Sequence, residues 1–149
     1  MLKLSAITAA VGGRLTGNDV VFESVSIDSR TLEAGALFVP LRGERYDGHE
    51  FIAQAAGRGA VAIMAEREAP GGLPVLVVKD TTLALGKLAA FWRAQFSMPL
   101  IAVTGSNGKT TVKEMIASIL ERKGAVHASI GNFNNHIGLP LTLLGLGQN

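Results

Sequence analysis

Cysteine is absent from this 149-residue sequence, and aromatic residues make up only 5% of it. Without cysteine, neither a disulfide framework nor a thiolate metal site is possible, and a reducing compartment is compatible with the chain. The basic residues are scattered, and no basic run is interleaved with aromatic residues. The net charge of +2 therefore gives no indication of nucleic-acid binding.

Long apolar runs are also lacking. No apolar run approaches the ~18 residues of a membrane span. Residues 1–5 are not followed by the long apolar segment that is typical of a signal peptide. We therefore expect a cytoplasmic protein without a membrane span. Apolar residues form 48% of the chain and charged residues 17%, which is typical of a globular protein with a core.

The most informative stretch runs from residue 100 to residue 120. Residues 100–103 are apolar or small and predict a buried strand. A turn with two glycines follows, and then apolar residues recur with helical spacing at positions 112, 115, 116, 119 and 120. A strand, a glycine loop and a helix with Gly-Lys-Thr at its entrance form an arrangement that binds phosphate.

In such a loop, Lys109 would pair with the β- and γ-phosphates of a nucleotide, and the Thr110 hydroxyl would ligate Mg²⁺. The general phosphate-loop pattern begins with a glycine at the position that Val103 occupies, so this loop is the shorter Gly-x-x-Gly-Lys-Thr. The alternative is an ordinary helix start with a glycine turn and an exposed lysine.

Upstream of Pro99, apolar runs alternate with helical patterns, which favours an α/β fold. We predict strands at residues 21–27, 36–41, 60–64 and 75–78, and helices at residues 5–11, 50–56 and 83–96, the first of them capped by Ser5. Downstream of residue 120, we predict a short strand at residues 125–128 and a helix at residues 141–146. Only about fifty residues follow Pro99, too few for a typical domain of ~100–150 residues, so the second domain looks truncated.

Three blocks of the chain together resemble the ATP-dependent Mur ligases of bacterial cell-wall synthesis. The first is Asp28-Ser29-Arg30 with a pattern over residues 35–49 that ends in Asp47-Gly48-His49. The second is the glycine loop at residues 104–111, and the third is Gly-Asn-x-Asn-Asn-x-Ile-Gly-x-Pro at residues 131–140. The blocks occur in order and span essentially the whole chain.

The resemblance implies an α/β fold in three parts. Residues 1–82 would form a small substrate domain that binds the UDP part of the substrate, and residues 83–98 a connecting helix and linker. Residues 99–149 would be the truncated start of a central ATPase domain of the P-loop type, with a parallel sheet.

The resemblance also implies an ATP-dependent carboxylate–amine ligase that uses ATP and Mg²⁺. The blocks are most similar to the family member that adds D-Ala-D-Ala to UDP-MurNAc-tripeptide through an acyl phosphate. The nearest alternative within the family is the ligase that adds the third amino acid of the peptide.

The family's functional residues transfer to matching positions of this chain. Phosphate contacts would come from Gly105, Ser106, Asn107, Gly108, Lys109, Thr110, Thr111, Asn134 and Asn135, with Lys109 catalytic and Thr110 the metal ligand. Contacts to UDP would come from Ser29, Arg30, Asp47, Gly48 and His49. From the residues alone, Arg30 could instead pair with Asp28, His49 could cap or pack at the start of its helix, and the asparagines could form Asx-turns.

In the family, the acidic Mg²⁺ ligand, the adenine pocket and the D-Ala-D-Ala site lie downstream of the last residue of this sequence. We therefore expect that the chain cannot ligate by itself. Two other classes remain open, namely a UDP-sugar-binding module that does not use ATP and a regulatory or assembly protein with a phosphate loop. Two separate ligand-binding blocks in one chain favour the enzyme.

Overall fold

The computed structural model describes residues 1–43, 46–69, 71–129 and 135–147. Seven strands occur in these ranges: β1 (Leu2–Lys3), β2 (Arg14–Thr16), β3 (Val21–Phe22), β4 (Ser24–Ser26), β5 (Ala36–Phe38), β6 (Ala62–Ala65) and β7 (Val75–Val77). The helices of the same ranges are α1 (Leu4–Val11), α2 (Ile52–Gly57), α3 (Thr81–Arg93), α4 (Lys109–Leu120) and α5 (Gly138–Leu144), and a 3-10 turn, Gly48–Phe51, precedes α2.

The main sheet has five strands in the order β2-β7-β6-β5-β4. Strands β4, β5, β6 and β7 are parallel to their neighbours, and β2 is antiparallel to β7 at one edge. Strands β1 and β3 form a separate antiparallel pair. The predicted α/β fold is confirmed, and its sheet is mostly parallel.

Both faces of the main sheet are covered. Leu37 points into a core that includes α1 and α3, whereas its neighbours Ala36 and Phe38 point into a second core that includes α2. Strands β6 and β7 alternate in the same way. Because each residue of these strands enters one core or the other, their sequences are uninterrupted apolar runs instead of alternating ones.

Helix α3 starts two residues before the predicted residue 83 and ends three residues before the predicted residue 96, and α1 starts one residue before the predicted Ser5. The Asp80 carboxylate accepts from the Leu83 backbone N–H at 2.8 Å and caps α3. Ser5, by contrast, lies inside α1, which begins at Leu4. Its backbone N–H and its hydroxyl both donate to Asp19, at 3.0 and 2.7 Å, so the distant carboxylate performs the capping that we assigned to Ser5.

The single strand predicted at residues 21–27 is wrong. It divides into β3, which pairs with β1, and β4, which pairs with β5 in the main sheet. Between them, the backbone N–H of Glu23 bonds to the carbonyl of Gly35. Since the two halves belong to different sheets, one period-2 pattern does not describe both: Phe22 is buried and Val21 is exposed. Strands β1 and β2 were not predicted, because two or three residues are too short to show a pattern.

The strands predicted at residues 100–103 and 125–128 are not observed, and Leu100 and Ile101 are exposed. A strand is stable only beside a hydrogen-bonded neighbour, and in the described ranges neither segment is assigned to the sheets. Helix α4 forms as predicted. Its apolar side chains at Val112, Met115 and Ile119, however, are 44–64% exposed.

Helix α5 starts three residues earlier than predicted and packs against α3 and β4. Leu144 enters the α1–α3 core, and the Trp92 indole N–H donates to the carbonyl of Leu146 at 3.0 Å. The end of the described chain is therefore attached to the helix that we predicted as a connector. Within the described ranges, the helices are too short or too polar to cross a membrane.

Candidate functional site

The first block of candidate residues lies where the parallel strands end. Asp28, Ser29 and Arg30 follow β4, residues 42–49 follow β5, and Glu66 directly follows β6. Ligands of open α/β sheets bind outside the carboxyl ends of the strands, and all five predicted UDP contacts occupy this edge.

Arg30 forms a two-pronged ion pair with Asp28. Its Nε donates to Asp28 Oδ1 at 3.0 Å and its Nη2 to Oδ2 at 2.7 Å, while the Arg30 backbone N–H also donates to Oδ1. These hydrogen bonds from Arg30 lower the pKa of Asp28 to about 2. The pair that we gave as an alternative therefore exists, but the guanidinium remains exposed and keeps further N–H donors for an anion.

Ser29 lies between these two residues and is buried. Its hydroxyl donates to the side-chain oxygen of Gln54 on α2 at 2.6 Å. A hydroxyl oxygen that donates its proton can still accept a hydrogen bond. The structure thus gives Ser29 a fixed orientation toward Gln54, a residue that sequence reasoning missed because a glutamine inside a helix gives no signal.

The turn that carries Asp47, Gly48 and His49 is closed by backbone contacts. The Gly48 N–H donates to the carbonyl of Leu41 at 2.9 Å, and a Cβ at Gly48 would lie 2.6 Å from that same oxygen. Glycine is therefore required there by space alone. Asp47 caps the 3-10 turn by accepting from the His49 backbone N–H, and this bond is the main cause that lowers the pKa of Asp47 to about 2.

Two further side chains join this turn to the sheet. Arg42 contacts Asp47 Oδ2 through Nε and Glu66 Oε2 through Nη1, both at 3.4 Å. We predicted neither Arg42 nor Glu66 as a site residue. A signal existed for Glu66, which is the first polar residue after the apolar run of β6.

Two glycines of the predicted phosphate loop have positive φ. Gly105 has φ +144° and Gly108 has φ +75°, and Gly108 is the N-cap residue that directly precedes α4. L-residues with side chains rarely adopt these conformations. No acidic residue occurs in the first turn of α4, so the positive end of its dipole faces no carboxylate of its own helix.

Lys109 folds back across this loop. Its Nζ donates to the carbonyl of Gly105 at 2.5 Å, which places the ammonium group over the loop while Ser106, Asn107, Thr110 and Thr111 are exposed. One turn further on, Lys113 Nζ donates to the carbonyl of Ser129 at 2.5 Å. That contact links α4 to the segment before the third block, and we did not predict it.

Of the two asparagines assigned to phosphate binding, Asn134 lies outside the described residues. Asn135 is described: its side-chain oxygen accepts from the backbone N–H groups of Ile137 and Gly138, at 3.1 and 2.7 Å. This is the Asx-type turn that we gave as the alternative to ligand binding. The side-chain amide nitrogen of Asn135 is a hydrogen-bond donor that takes no part in these two bonds.

Thr110 is the residue that we predicted to hold Mg²⁺ at this loop. In the part of the chain that the structure describes, no group of three or more His, Cys, Asp or Glu side chains could hold a metal ion. Mg²⁺ commonly takes one or two protein oxygens and completes its shell with water and nucleotide phosphates. The Thr110 hydroxyl at the start of α4 fits that pattern.

Two family models match parts of this chain. Residues 21–93 match the catalytic domain of the Mur ligase family, and residues 103–149, which include the phosphate loop, match the Mur ligase middle domain. The chain therefore belongs to the Mur ligase family.

Individual relatives are similar over most of the chain. The UDP-N-acetylmuramoyl-tripeptide–D-alanyl-D-alanine ligase of Escherichia coli is 48% identical over 96% of this chain and 32% of its own length. A crystal structure of MurF from Acinetobacter baumannii matches with a TM-score of 0.87 and 39% identity, over 95% of this chain and 32% of that one. MurF of Thermotoga maritima in complex with ADP matches with a TM-score of 0.76 and 38% identity, over 85% and 30%. The chain thus spans about a third of the length of these relatives.

Proposed function

We propose that this chain supplies the UDP-binding part and the phosphate loop of an ATP-dependent ligase that joins D-Ala-D-Ala to UDP-MurNAc-tripeptide. The observation that carries the proposal is the loop at residues 105–109, where two glycines with positive φ precede a helix and Lys109 folds over the loop. The name of the Escherichia coli relative supports this choice of substrates over addition of the third amino acid. The relative that holds ADP supports ATP as the phosphoryl donor.

The chemistry begins with activation of a carboxylate. The terminal carboxylate oxygen of the tripeptide attacks the γ-phosphorus of ATP, the bond from that phosphorus to ADP breaks, and an acyl phosphate forms. The amine of D-Ala-D-Ala then attacks the acyl carbon, phosphate leaves, and the amine loses a proton. Phosphoryl transfer of this kind depends on positioning and on neutralising charge more than on covalent participation of the protein.

The loop residues would perform that positioning. Backbone N–H groups of residues 105–110, with the positive end of the α4 dipole, would bind the phosphates. Lys109 would neutralise charge on the transferring group, and Mg²⁺, held by Thr110, would add to that neutralisation. Side chains of Ser106, Asn107, Thr111, Asn134 and Asn135 would add further contacts to phosphate.

The carboxyl edge of the main sheet would bind the other end of the substrate. Arg30 carries exposed charge for the diphosphate, and Ser29, Asp47, Gly48 and His49 would shape the uridine site around it. In this proposal residues 1–82 form the substrate domain, residues 83–98 connect it, and residues 99–149 begin the ATPase domain. Both substrates and the nucleotide are small soluble molecules, which suits a cytoplasmic enzyme.

Calorimetric titration of the chain with Mg·ATP tests the loop. We expect saturable binding that Lys109→Met weakens roughly ten- to a hundredfold, the loss expected for one charged hydrogen bond. Lys123→Met, which removes an exposed lysine after α4, is the matched control and should bind like the wild type. Equal affinities of wild type and Lys109→Met, or no binding by the folded chain, would contradict the proposal for the loop and favour a module that does not use ATP.

A ligase assay tests whether these 149 residues alone catalyse formation of the amide. Because the chain spans about a third of the length of its relatives, we expect no amide formation from UDP-MurNAc-tripeptide, D-Ala-D-Ala and ATP by these 149 residues alone. Detectable amide product would show that the residues required for the reaction are all present here.

A further inference from the structure

The imidazole of His49 is fully occupied by contacts inside the protein. Its side chain is 1% exposed, its Nδ1 lies 2.6 Å from Asp47 Oδ1, and its Nε2 lies 3.2 Å from the backbone nitrogen of Glu66. A backbone N–H can only donate, so Nε2 accepts, and the proton of the neutral ring is on Nδ1, where it donates to Asp47.

The partners of His49 belong to two different segments. Asp47 lies in the turn after β5, and Glu66 follows β6, the neighbouring parallel strand. Glu66 extends the link further: its carboxylate contacts Arg42 in the same turn and accepts from the backbone N–H of Thr81 at 3.4 Å, at the start of α3. The buried ring thus lies between the turn and the frame of the sheet.

We propose that His49 is a positioning residue, which fixes the turn that contains Arg42, Gly43 and residues 46–48 on the end of β6 and does not itself touch a bound uridine diphosphate. Arg42 and Asp47, whose side chains are 55% and 27% exposed, are then the groups that the turn presents to the ligand. This inference rests on the proposed binding of UDP at the carboxyl edge of the sheet. In it, His49 does not contact UDP but holds Asp47 and the turn in position for binding.

Nitrogen-15 NMR of the imidazoles, recorded on the full chain, tests whether the ring touches the ligand. We expect His49 to show the proton on Nδ1, and both its nitrogen signals to stay unchanged when UDP is added to saturation. His127 provides an internal comparison, because its Nε2 donates to the carbonyl of Thr142 and so carries the proton on the other nitrogen. A shift of either His49 nitrogen signal that follows UDP occupancy would overturn the proposal.

Hydrogen exchange tests the positioning role without any ligand. In His49→Ala, we expect faster exchange of the Gly43 and Gly48 amides, which bond to Tyr46 and Leu41 across the turn, and unchanged exchange in β6 and β7. His49→Gln should recover part of the protection, since its amide oxygen can accept from Glu66. Unchanged exchange at the turn in His49→Ala would overturn the proposal, whatever the ligand does.

Affinity for UDP completes the test. We expect His49→Ala to bind UDP about tenfold more weakly than the wild type while the fold is intact, with partial recovery in His49→Gln and no change in the control His127→Ala. Unchanged affinity in a folded His49→Ala would overturn the proposal. If the wild type itself binds no UDP, the proposed function of this edge fails, and the exchange data alone decide whether His49 positions the turn.

Discussion

The two regions of this chain differ in how they use their apolar residues. In residues 1–93, helices cover both faces of a mostly parallel sheet, and side chains such as Leu88 are completely buried. In residues 100–129, a helix of comparable length carries an apolar stripe that faces solvent. The local sequence is therefore sufficient to specify α4 as a helix. Its apolar stripe stays exposed because no surface of the described residues 1–129 packs against it.

The difference extends to the two candidate sites. The proposed UDP edge is built from side chains that bond across separate segments: Ser29 after β4 bonds to Gln54 on α2, and Arg42 after β5 bonds to Glu66 after β6. The phosphate loop is built from consecutive residues, with Lys109 bonded to a carbonyl only four residues away. Long-range packing maintains the first site, and local backbone geometry maintains the second.

Truncation of one buried and one exposed helix residue gives the largest expected contrast. Leu88→Ala removes a side chain with no exposure and should lower the free energy of unfolding by about 2–5 kcal/mol. Ile119→Ala, the matched change at a side chain that is 64% exposed, should change it by less than about 0.5 kcal/mol. Urea unfolding measures both. An Ile119→Ala loss as large as that of Leu88→Ala would show that the stripe of α4 is buried in solution.

Alanine in place of one glycine from each region should act in opposite directions. Gly108→Ala forces a side chain into φ +75° with no neighbour in the way, and should destabilise the start of α4 by about 1–2 kcal/mol. Gly86→Ala, inside α3 and also without a close neighbour, should stabilise α3 by about 0.5–1 kcal/mol. Hydrogen exchange resolved to each helix measures both changes. A neutral Gly108→Ala would mean that the loop does not hold this conformation.

Trp92→Phe tests the attachment of α5 to α3 of the packed region. The change removes the N–H that bonds to the carbonyl of Leu146 and should weaken protection of the α5 amides by about 0.5–1.5 kcal/mol. Tyr46→Phe, at an exposed aromatic side chain, is the control and should leave α5 unaffected. If α5 keeps wild-type protection in Trp92→Phe, the indole bond does not attach it.

The smallest of these effects is the contribution of Asp47 to the free energy of unfolding, and we expect to see it only at acidic pH. Its native pKa of about 2 lies below the ordinary value of 3.8, so the stabilisation is complete above about pH 5 and is lost as the pH falls through 3.8 toward 2. Asp47→Asn should therefore show a shallower loss of unfolding free energy between pH 5 and pH 2.5 than the wild type. Glu121→Gln controls for the change in net charge. A wild-type slope in Asp47→Asn would contradict the assigned hydrogen bonds.

The sequence predicted the parts of the fold that local pattern determines. The apolar runs that became β5, β6 and β7 were recognised, and so were α3 and the glycine turn before α4. Residues 100–103 are just as apolar but form no strand. An apolar sequence pattern indicates which side chains suit a strand, but it does not show whether a neighbouring strand is present to pair with it. The division of residues 21–27 between two sheets was missed for the same reason.

In the candidate site, the contacts within a few residues were foreseen as alternatives: the pair of Arg30 with Asp28 and the packing of His49. The bonds of Ser29 to Gln54 and of Arg42 to Glu66 were not, because they join residues 24 or more positions apart. Such contacts depend on which strands lie side by side, and the sheet order could not be derived from one sequence. Assignment of these side chains to UDP and ATP stays a prediction.

Hydrogen exchange of the chain with and without saturating UDP-MurNAc-tripeptide tests the central claim most directly. We expect slow exchange in β5–β7, α1 and α3 and fast exchange at residues 100–107. On binding, we expect added protection at residues 28–30 and 46–49 and none at residues 105–120. Protection of residues 100–103 as strong as that of β6, or a binding effect confined to residues 105–120, would contradict the division of the chain into a packed substrate-binding region and a locally built phosphate loop.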